Sequence, residues 1–271
     1  MEQFLWLIPM GFVLGAFGTL IGAGGGFVLV PALLLLYPDA RPETITCISL
    51  AVVFFNALSG SLSYARMARI DYKSGLLMAL ATIPGAILGV ITTDHIPRQL
   101  FNSVFGLFMI LTSVFLLFSQ AKEKHISESV HSSNFKRTII EKNGIVHNYS
   151  YNLKLGIWMS MFIGYLSSLL GIGGGVIHVP ALIRILKFPV LVATATSQFI
   201  LTVMAFTGTV VHIVTGSFAH GINRTFFLAI GVVIGAQVGA RLSSHVNSKW
   251  IMRGLAVSMA FVGIRILIMA F

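Results

Sequence analysis

Residues Gly15–Leu34 read GAFGTLIGAGGGFVLVPALL, and residues Gly164–Ile183 read GYLSSLLGIGGGVIHVPALI. At an offset of 149, ten of the twenty positions are identical. Later matches keep the same order. Thr46 and Ser49 pair with Thr194 and Ser197, Gly60 with Gly208, and Gly85-Ala86 and Gly89 with Gly235-Ala236 and Gly239. The chain is therefore an internal duplication.

Outside the quoted stretches the sequence is apolar on the scale of a membrane protein. Of 271 residues, 56% are hydrophobic and only 10% are charged, against about 25% charged in soluble proteins. One cysteine, Cys47, excludes a disulfide framework and a thiolate metal site. Uncharged runs cover Phe4–Tyr37, Thr44–Ala65, Ser74–Thr93 and Leu100–Ser119, then Leu155–Ile183, Pro189–Phe218 and Thr225–Ala240, and Trp250–Phe271 follows with Arg253 and Arg265 inside it. The predicted architecture is an all-α polytopic membrane protein. Residues 1–119 form a first transmembrane repeat, 120–154 a polar linker, and 155–271 a second repeat.

The first run of each repeat is too long for one helix. Phe4–Tyr37 has 34 residues, about 51 Å as a helix, while the hydrocarbon core is about 30 Å thick. Tilt alone would have to reach roughly 54°, beyond the usual range of about 0–40°. Leu155–Ile183, with 29 residues, meets the same limit. Each run is expected to break at its glycines, Gly22, Gly24, Gly25 and Gly26 in the first and Gly171, Gly173, Gly174 and Gly175 in the second, because glycine is a poor helix interior and adopts positive φ. Pro31 and Pro180 follow near the start of a short helix. Three further transmembrane helices complete each half.

Two readings are open at the clusters. Small residues permit close helix packing, which suits Gly11 with Gly15, Gly85 with Gly89, and Gly231 with Gly235 and Gly239. Four glycines in five positions ask for more. Non-helical backbone at membrane depth must be buried in protein or line a cavity. A half-helix that starts there presents unpaired N–H groups and the positive end of its dipole. Two such starts facing one another make an anion site at the midplane. Thr46, Ser49, Thr194, Ser197 and Gln198 follow each break and offer hydroxyl and amide donors; bonding back to their own helix is the alternative. His178, three residues after Gly175, either meets the anion or is a neutral histidine bonded between helices. His212 is a weaker candidate, and Arg253 and Arg265 are expected to snorkel to the interfaces.

Charge supports the anion reading. From Lys142 to Phe271 there are nine Lys or Arg and no carboxylate. No acidic residue lies deep in an apolar run, so the usual carboxylate relay of cation pumps is missing. The net charge of +10 is expected in cytoplasmic loops facing the bilayer surface, not on nucleic acid, since no basic run is interleaved with stacking aromatics. No cofactor or metal site is expected; His125, His131 and His147 lack ligand spacing. The N-terminus, with no Lys or Arg before its apolar run, does not read as a signal peptide. In the linker, Asn143-Gly144 between β-branched stretches predicts a small solvent-side hairpin.

The paired G-x-G-G-G-x(4)-P elements at Gly22–Pro31 and Gly171–Pro180 resemble the sulfite exporter TauE/SafE family. The resemblance extends to Ala193–Ser197, to Tyr64-Ala65-Arg66 with Ile70-Asp71, and to the late Gly-Ala-x-x-Gly elements, in both halves but not the linker. It implies transport of a small sulfur-containing anion, such as sulfite, thiosulfate or a sulfonate, across the bacterial inner membrane, with no cofactor and no catalysis. Export is the expected direction. A cation-coupled importer, a passive channel and an intramembrane enzyme are the rivals. The glycines are followed by no P-loop lysine and sit in no βαβ unit, which argues against nucleotide chemistry.

Counting Lys and Arg fixes an expected orientation. If each broken run enters and leaves on one side, the loops hold 13 basic residues on one side and 3 (Arg41, Arg98 and Arg224) on the other. Eight single crossings give only 10 against 6. The positive-inside rule favours the first arrangement, which makes the halves inverted repeats with a cytoplasmic linker and periplasmic termini. Reporter fusions after Phe271 and within Glu123–Glu141 should report opposite sides; a cytoplasmic signal from both restores eight single crossings.

Overall fold

The computed structural model describes residues 4–119, 135–216, 221–243 and 248–268. Both long runs break where expected. The first gives α1 (Leu7–Ile21) and α2 (Gly26–Leu36), followed by α3 (Pro42–Arg66), α4 (Tyr72–Thr93) and α5 (Arg98–Ser119). The second gives α6 (Leu153–Leu170) and α7 (Gly175–Arg184), followed by α8 (Val190–Val214), α9 (Ile222–Leu242) and α10 (Ser248–Ile268). Among the described residues, six helices, α3, α4, α5, α6, α8 and α9, are long and apolar enough to cross a membrane. The protein is a multi-pass, all-α membrane protein. Pro31 and Pro180 stand in the second turn of α2 and α7, near the starts of the short helices as expected. Between the halves lies the antiparallel hairpin β1 (Phe135–Ile140) and β2 (Val146–Tyr151), with Gly144 at φ +86° in the turn. The histidines His125 and His131 lie outside the described residues.

Packing is reciprocal between the halves. α1 lies along α9, and its counterpart α6 lies along α4; α3 packs on α8, and α5 on α10. Glycine makes these approaches possible. A Cβ on Gly11 or Gly15 would stand 2.5 Å from the carbonyl oxygen of Leu228 or Val232, and one on Gly164 2.7 Å from that of Thr82. Gly85, Gly231, Gly235 and Gly239 meet the facing backbone in the same way, so the small-residue stripes are packing devices.

The contacts also show where each broken segment opens. Phe4, before α1, stacks on Phe227 near the start of α9, and Tyr37, after α2, lies under the Arg224 guanidinium of the same helix start. In the second half, Gly156 near the start of α6 and Leu186 beyond α7 are neighbours, and Phe188 packs on Tyr149 and Tyr151 of the hairpin. Each segment thus doubles back. The first opens beside the loop before α3, where Arg98 donates to the Ala40 carbonyl. The second opens beside the loop after α3, where Arg69 pairs with Glu141.

Polarity is sorted as a bilayer requires. Phe261 is 71% and Trp158 70% exposed on the outer surface, whereas Ser49, Asn56, Ser197 and Gln198 are fully buried. Large apolar groups face outward to lipid, and the polar side chains gather inside. Arg265 is exposed on α10, while the side chain of Arg253 lies outside the described residues.

Alanine at Gly235 would drive a methyl into the Phe12 carbonyl, with the Ala16 amide nitrogen 2.9 Å away. Gly235→Ala should therefore push α1 off α9 and cost about 1–3 kcal/mol. A thermal midpoint in detergent unchanged by that substitution would show that the helices separate freely.

Candidate functional site

The two glycine breaks meet. α1 ends on Gly22 at φ +80°, and the chain turns through Gly24 (+76°) and Gly25 (+82°) into α2. α6 ends on Gly171 (+69°) and turns through Gly173 (+79°) and Gly174 (+69°) into α7. Three left-handed residues per turn confine these positions to glycine. Gly26 lies against the Ile172 backbone, where a Cβ would approach to 2.7 Å. Gly175 lies against the Gly22 carbonyl and Ala23 Cα, and the side chain of Val53 touches both Gly24 and Gly173.

The broken ends satisfy their carbonyls first. The Gly18 carbonyl accepts from the Ala23 and Gly24 amides at 2.7 and 3.1 Å, and the Ser167 carbonyl accepts from the Ile172 amide at 3.1 Å. The starts of α2 and α7 differ. Among the described residues, the amides of Gly25, Gly26 and Phe27, and of Gly173, Gly174 and Val176, donate to no acceptor. These are the free N–H groups that a helix start leaves.

Side chains from the neighbouring long helices close the remaining carbonyls. Ser49 Oγ on α3 donates to Gly171 O at 2.6 Å, and Ser197 Oγ on α8 donates to Gly22 O at 3.1 Å. Each half's serine thus caps the other half's break. Gln198 Nε2 donates to Gly18 O at 3.2 Å. Thr46 and Thr194 lie against Gly171 and Gly22, but their hydroxyls bond back to Glu43 O and Val190 O of their own helix ends. His178 on α7 is fully buried with Nε2 3.2 Å from Ser160 Oγ on α6, an interhelical bond. His212 is equally buried, 3.4 Å from Thr46 Oγ1.

Sequence reasoning gave no role to four residues of this junction, Thr19, Asn56, Ser167 and Ser168. Tyr64 donates to Thr19 O at 2.9 Å, and Thr19 Oγ1 donates to Asn56 Oδ1 at 2.9 Å. Ser167 and Ser168 occupy the positions that match Gly18 and Thr19. Asn56 Nδ2, Gln198 Oε1 and both serine hydroxyls are buried without a partner among the described residues. An uncharged carboxamide in the middle of an apolar run, as Asn56 is, was the available signal.

At one end of α3 the hairpin closes the structure. Asp71, at the start of α4, is fully buried and accepts from Arg137 Nη2 at 2.6 Å, Arg137 Nε at 3.0 Å, Tyr149 Oη at 2.7 Å and the Ser74 hydroxyl. Its own amide donates to Thr196 Oγ1 of α8 at 3.0 Å. Burial pushes the Asp71 carboxyl up, but the bonds from Arg137, Ser74 and Tyr149 outweigh it and hold the group below the usual carboxylate range. Glu141 is held low in the same way, burial being outweighed by His147 and Arg69. At the other end of α3 a cleft of about 650 Å³ opens, lined by Tyr37, Asp39, Arg41, Glu43, Thr215 and Arg224 among others. Arg224 lies 3.8 Å from the centroid of the Tyr37 ring.

Two duplicated halves, each with a broken helix whose turn is buried against its twin, define a multi-pass membrane transporter. The sulfite exporter TauE/SafE family model matches residues 7–266. The chain belongs to that family. It is 33% identical to the probable membrane transporter protein YunE of Bacillus subtilis, over 98% of this chain and 97% of the relative. The probable membrane transporter protein MJ0441 of Methanocaldococcus jannaschii is 24% identical, over 91% and 90%. YdhB of Bacillus subtilis, also a probable membrane transporter protein, is 26% identical over 96% and 99%. No solved structure matches the chain.

Because Asp71 and Glu141 are depressed, the stability they lend is complete above the ordinary carboxylate range and is lost as pH falls below about 4. Hydrogen-exchange protection of residues 135–151 should be flat from neutrality down to mild acid and collapse below it. Arg137→Ala should remove protection at neutral pH, since it strands a buried carboxylate at a cost of about 3 kcal/mol. A hairpin still protected in that variant is held by its aromatic contacts instead.

Proposed function

We propose that the protein exports a small sulfur-containing anion across the bacterial inner membrane, binding it between the two glycine breaks. The carrying observation is the meeting of two helix starts with free amides and positive dipole ends at the centre of the molecule. The family's description as sulfite exporters supports the same class of substrate. Gly24–Gly26 and Gly173–Gly175 supply the backbone. Ser197, Gln198 and Ser49 are spent on carbonyls in this conformation, and Thr194 on its own helix, so they reach an anion only when the breaks part.

The halves are inverted repeats in this reading. The first broken segment opens beside Arg41, Arg98 and Arg224, the periplasmic set, and the second opens beside the hairpin and the basic cytoplasmic loops. Alternating exposure then follows from rocking one half against the other about the shared junction. Transport, not catalysis, is the function in this reading.

Direction follows from the membrane potential. An inside-negative potential drives anions outward by about 2.3 kcal/mol per charge per 100 mV, so a dianion gains more than a thousandfold in concentration without a coupling ion. Proteoliposome flux of sulfite and thiosulfate tests direction and site together. Outward-directed, potential-driven flux is expected. Gly174→Ala should reduce apparent affinity per folded molecule at least tenfold, because the methyl meets Ser167 Oγ at 2.6 Å and a positive φ costs about 1–3 kcal/mol. Gly235→Ala should lower stability while leaving that affinity unaltered. Net uptake against the potential, driven by a proton or sodium gradient, overturns export. Normal affinity in Gly174→Ala moves the site elsewhere.

A further inference from the structure

We infer that the site has two unlike poles and selects an oxyanion carrying a short apolar tail over a bare inorganic oxyanion. The inference rests on the glycine junction being the substrate site.

The two halves differ at matched positions around the breaks. α3 and α8 are both 25 residues long and correspond at an offset of 148, which pairs Ser49 with Ser197 and Gly60 with Gly208. The same offset pairs Asn56 with Met204 and Leu50 with Gln198. These unlike pairs occupy like places. Asn56 Nδ2 stands 3.6 Å from a Cβ on Gly25, the residue that caps α2, and the Met204 methyl stands 3.4 Å from a Cβ on Gly174, the residue that caps α7. Gln198 Cδ is 3.5 Å from a Cβ on Gly60, and Leu50 Cδ1 is 2.8 Å from a Cβ on Gly208. Duplication alone would have left both poles alike.

At the first pole both carboxamides gather on the last turn of α1, with Thr19 and Tyr64. Thr19 occupies Asn56 Oδ1, so the buried Asn56 amide N–H₂ is left as a donor facing the free start of α2. It is the group an anion oxygen would take. Gln198 Oε1 is left as an acceptor, which a water or a hydroxyl fills. Buried amides without partners are rare in folded proteins and ask for a ligand or water.

At the second pole Met204 and Leu50 replace both carboxamides. The side-chain polar atoms left there are the hydroxyls of Ser167 and Ser168, beside the free amides at the start of α7. A thioether and a leucine gain dispersion contact with a methyl or methylene group and offer no charge-assisted bond. A bare oxyanion meets the free amides at both helix starts but a carboxamide donor only at the first pole, and it offers Met204 and Leu50 no carbon group to contact. An anion with an oxyanion head and a short carbon tail matches both poles.

The test uses the full chain in proteoliposomes with two probes, methanesulfonate and sulfite, at mildly acidic pH where both are monoanions. The wild type should prefer methanesulfonate by about tenfold, since one methyl in an apolar pocket is worth roughly 10–200-fold. Met204→Gln, close to methionine in shape, should erase most of that preference by improving sulfite. Asn56→Leu should weaken both probes about tenfold or more, the loss expected for a site's bond to a ligand's polar group. A wild-type preference under about threefold, a value below the range for a methyl group, overturns the inference, as does an unchanged preference in folded Met204→Gln. The wild-type ratio needs no variant, so misfolding of a substitution cannot shelter the inference. If the folded wild type moves neither probe, the anion reading itself fails; if it moves both equally, only the two-pole inference fails.

Discussion

A broken helix at membrane depth leaves backbone groups that lipid cannot satisfy, and that single constraint organises this protein. Each half breaks its first helix at a glycine turn. The turn is tolerable because the other half covers it: Ser49 of the first half caps Gly171 of the second, and Ser197 of the second caps Gly22 of the first. A buried carbonyl stripped of its partner costs about 1–3 kcal/mol, so neither half is complete without the other. The exchange of caps explains why α3 and α8 are the most enclosed long helices and why their inward faces carry Ser, Thr, Asn and Gln.

Bringing two turns together requires the helices that carry them to approach their neighbours closely. α1 and α6 do this with reciprocal glycine contacts, α1 on α9 and α6 on α4. Van der Waals contact between backbones replaces the hydrophobic driving force that lipid removes. The glycines therefore divide into two kinds by conformation. Those in the stripes are helical and lie against a facing backbone; Gly22, Gly24, Gly25, Gly171, Gly173 and Gly174 have positive φ and make the turns.

Much of this was legible in the chain. The length of Phe4–Tyr37 against the bilayer demanded a break, and the glycine run located it. Asn143-Gly144 marked the hairpin turn, because few residues adopt its positive φ. The stripes at Gly85, Gly89, Gly231, Gly235 and Gly239 read as packing and are packing. What sequence could not give was partnership at long range. Ser197 reads equally as a donor to an anion or to a carbonyl, and only the approach of Gly22 from 175 positions away decides between them in this conformation. Asp71 sat at the edge of an apolar run with no hint that Arg137 and Tyr149 would enclose it. Pro31 and Pro180 fall near the starts of the short helices, as read, one turn inside the breaks.

The two ends of the molecule are tied to the junction unequally. On α8, Thr196 accepts from the Asp71 amide, Ser197 caps Gly22 and Gln198 reaches Gly18. Three consecutive residues thus bind the hairpin-end ion pair and the first break to one helix turn. A shift of α8 by a single residue would lose all three bonds together. The matching stretch of α3, Thr46 to Leu50, caps Gly171 through Ser49 but ends in Leu50, where α8 has its glutamine. Its outer end meets Arg224 over Tyr37 and the Arg98 contact to Ala40, with no buried ion pair among the described residues there. The hairpin end and the first break therefore form one cooperative unit, while the second break is linked to the cleft end only through packing and single hydrogen bonds. A symmetric duplication has in this way acquired a stiff end and a lightly held one.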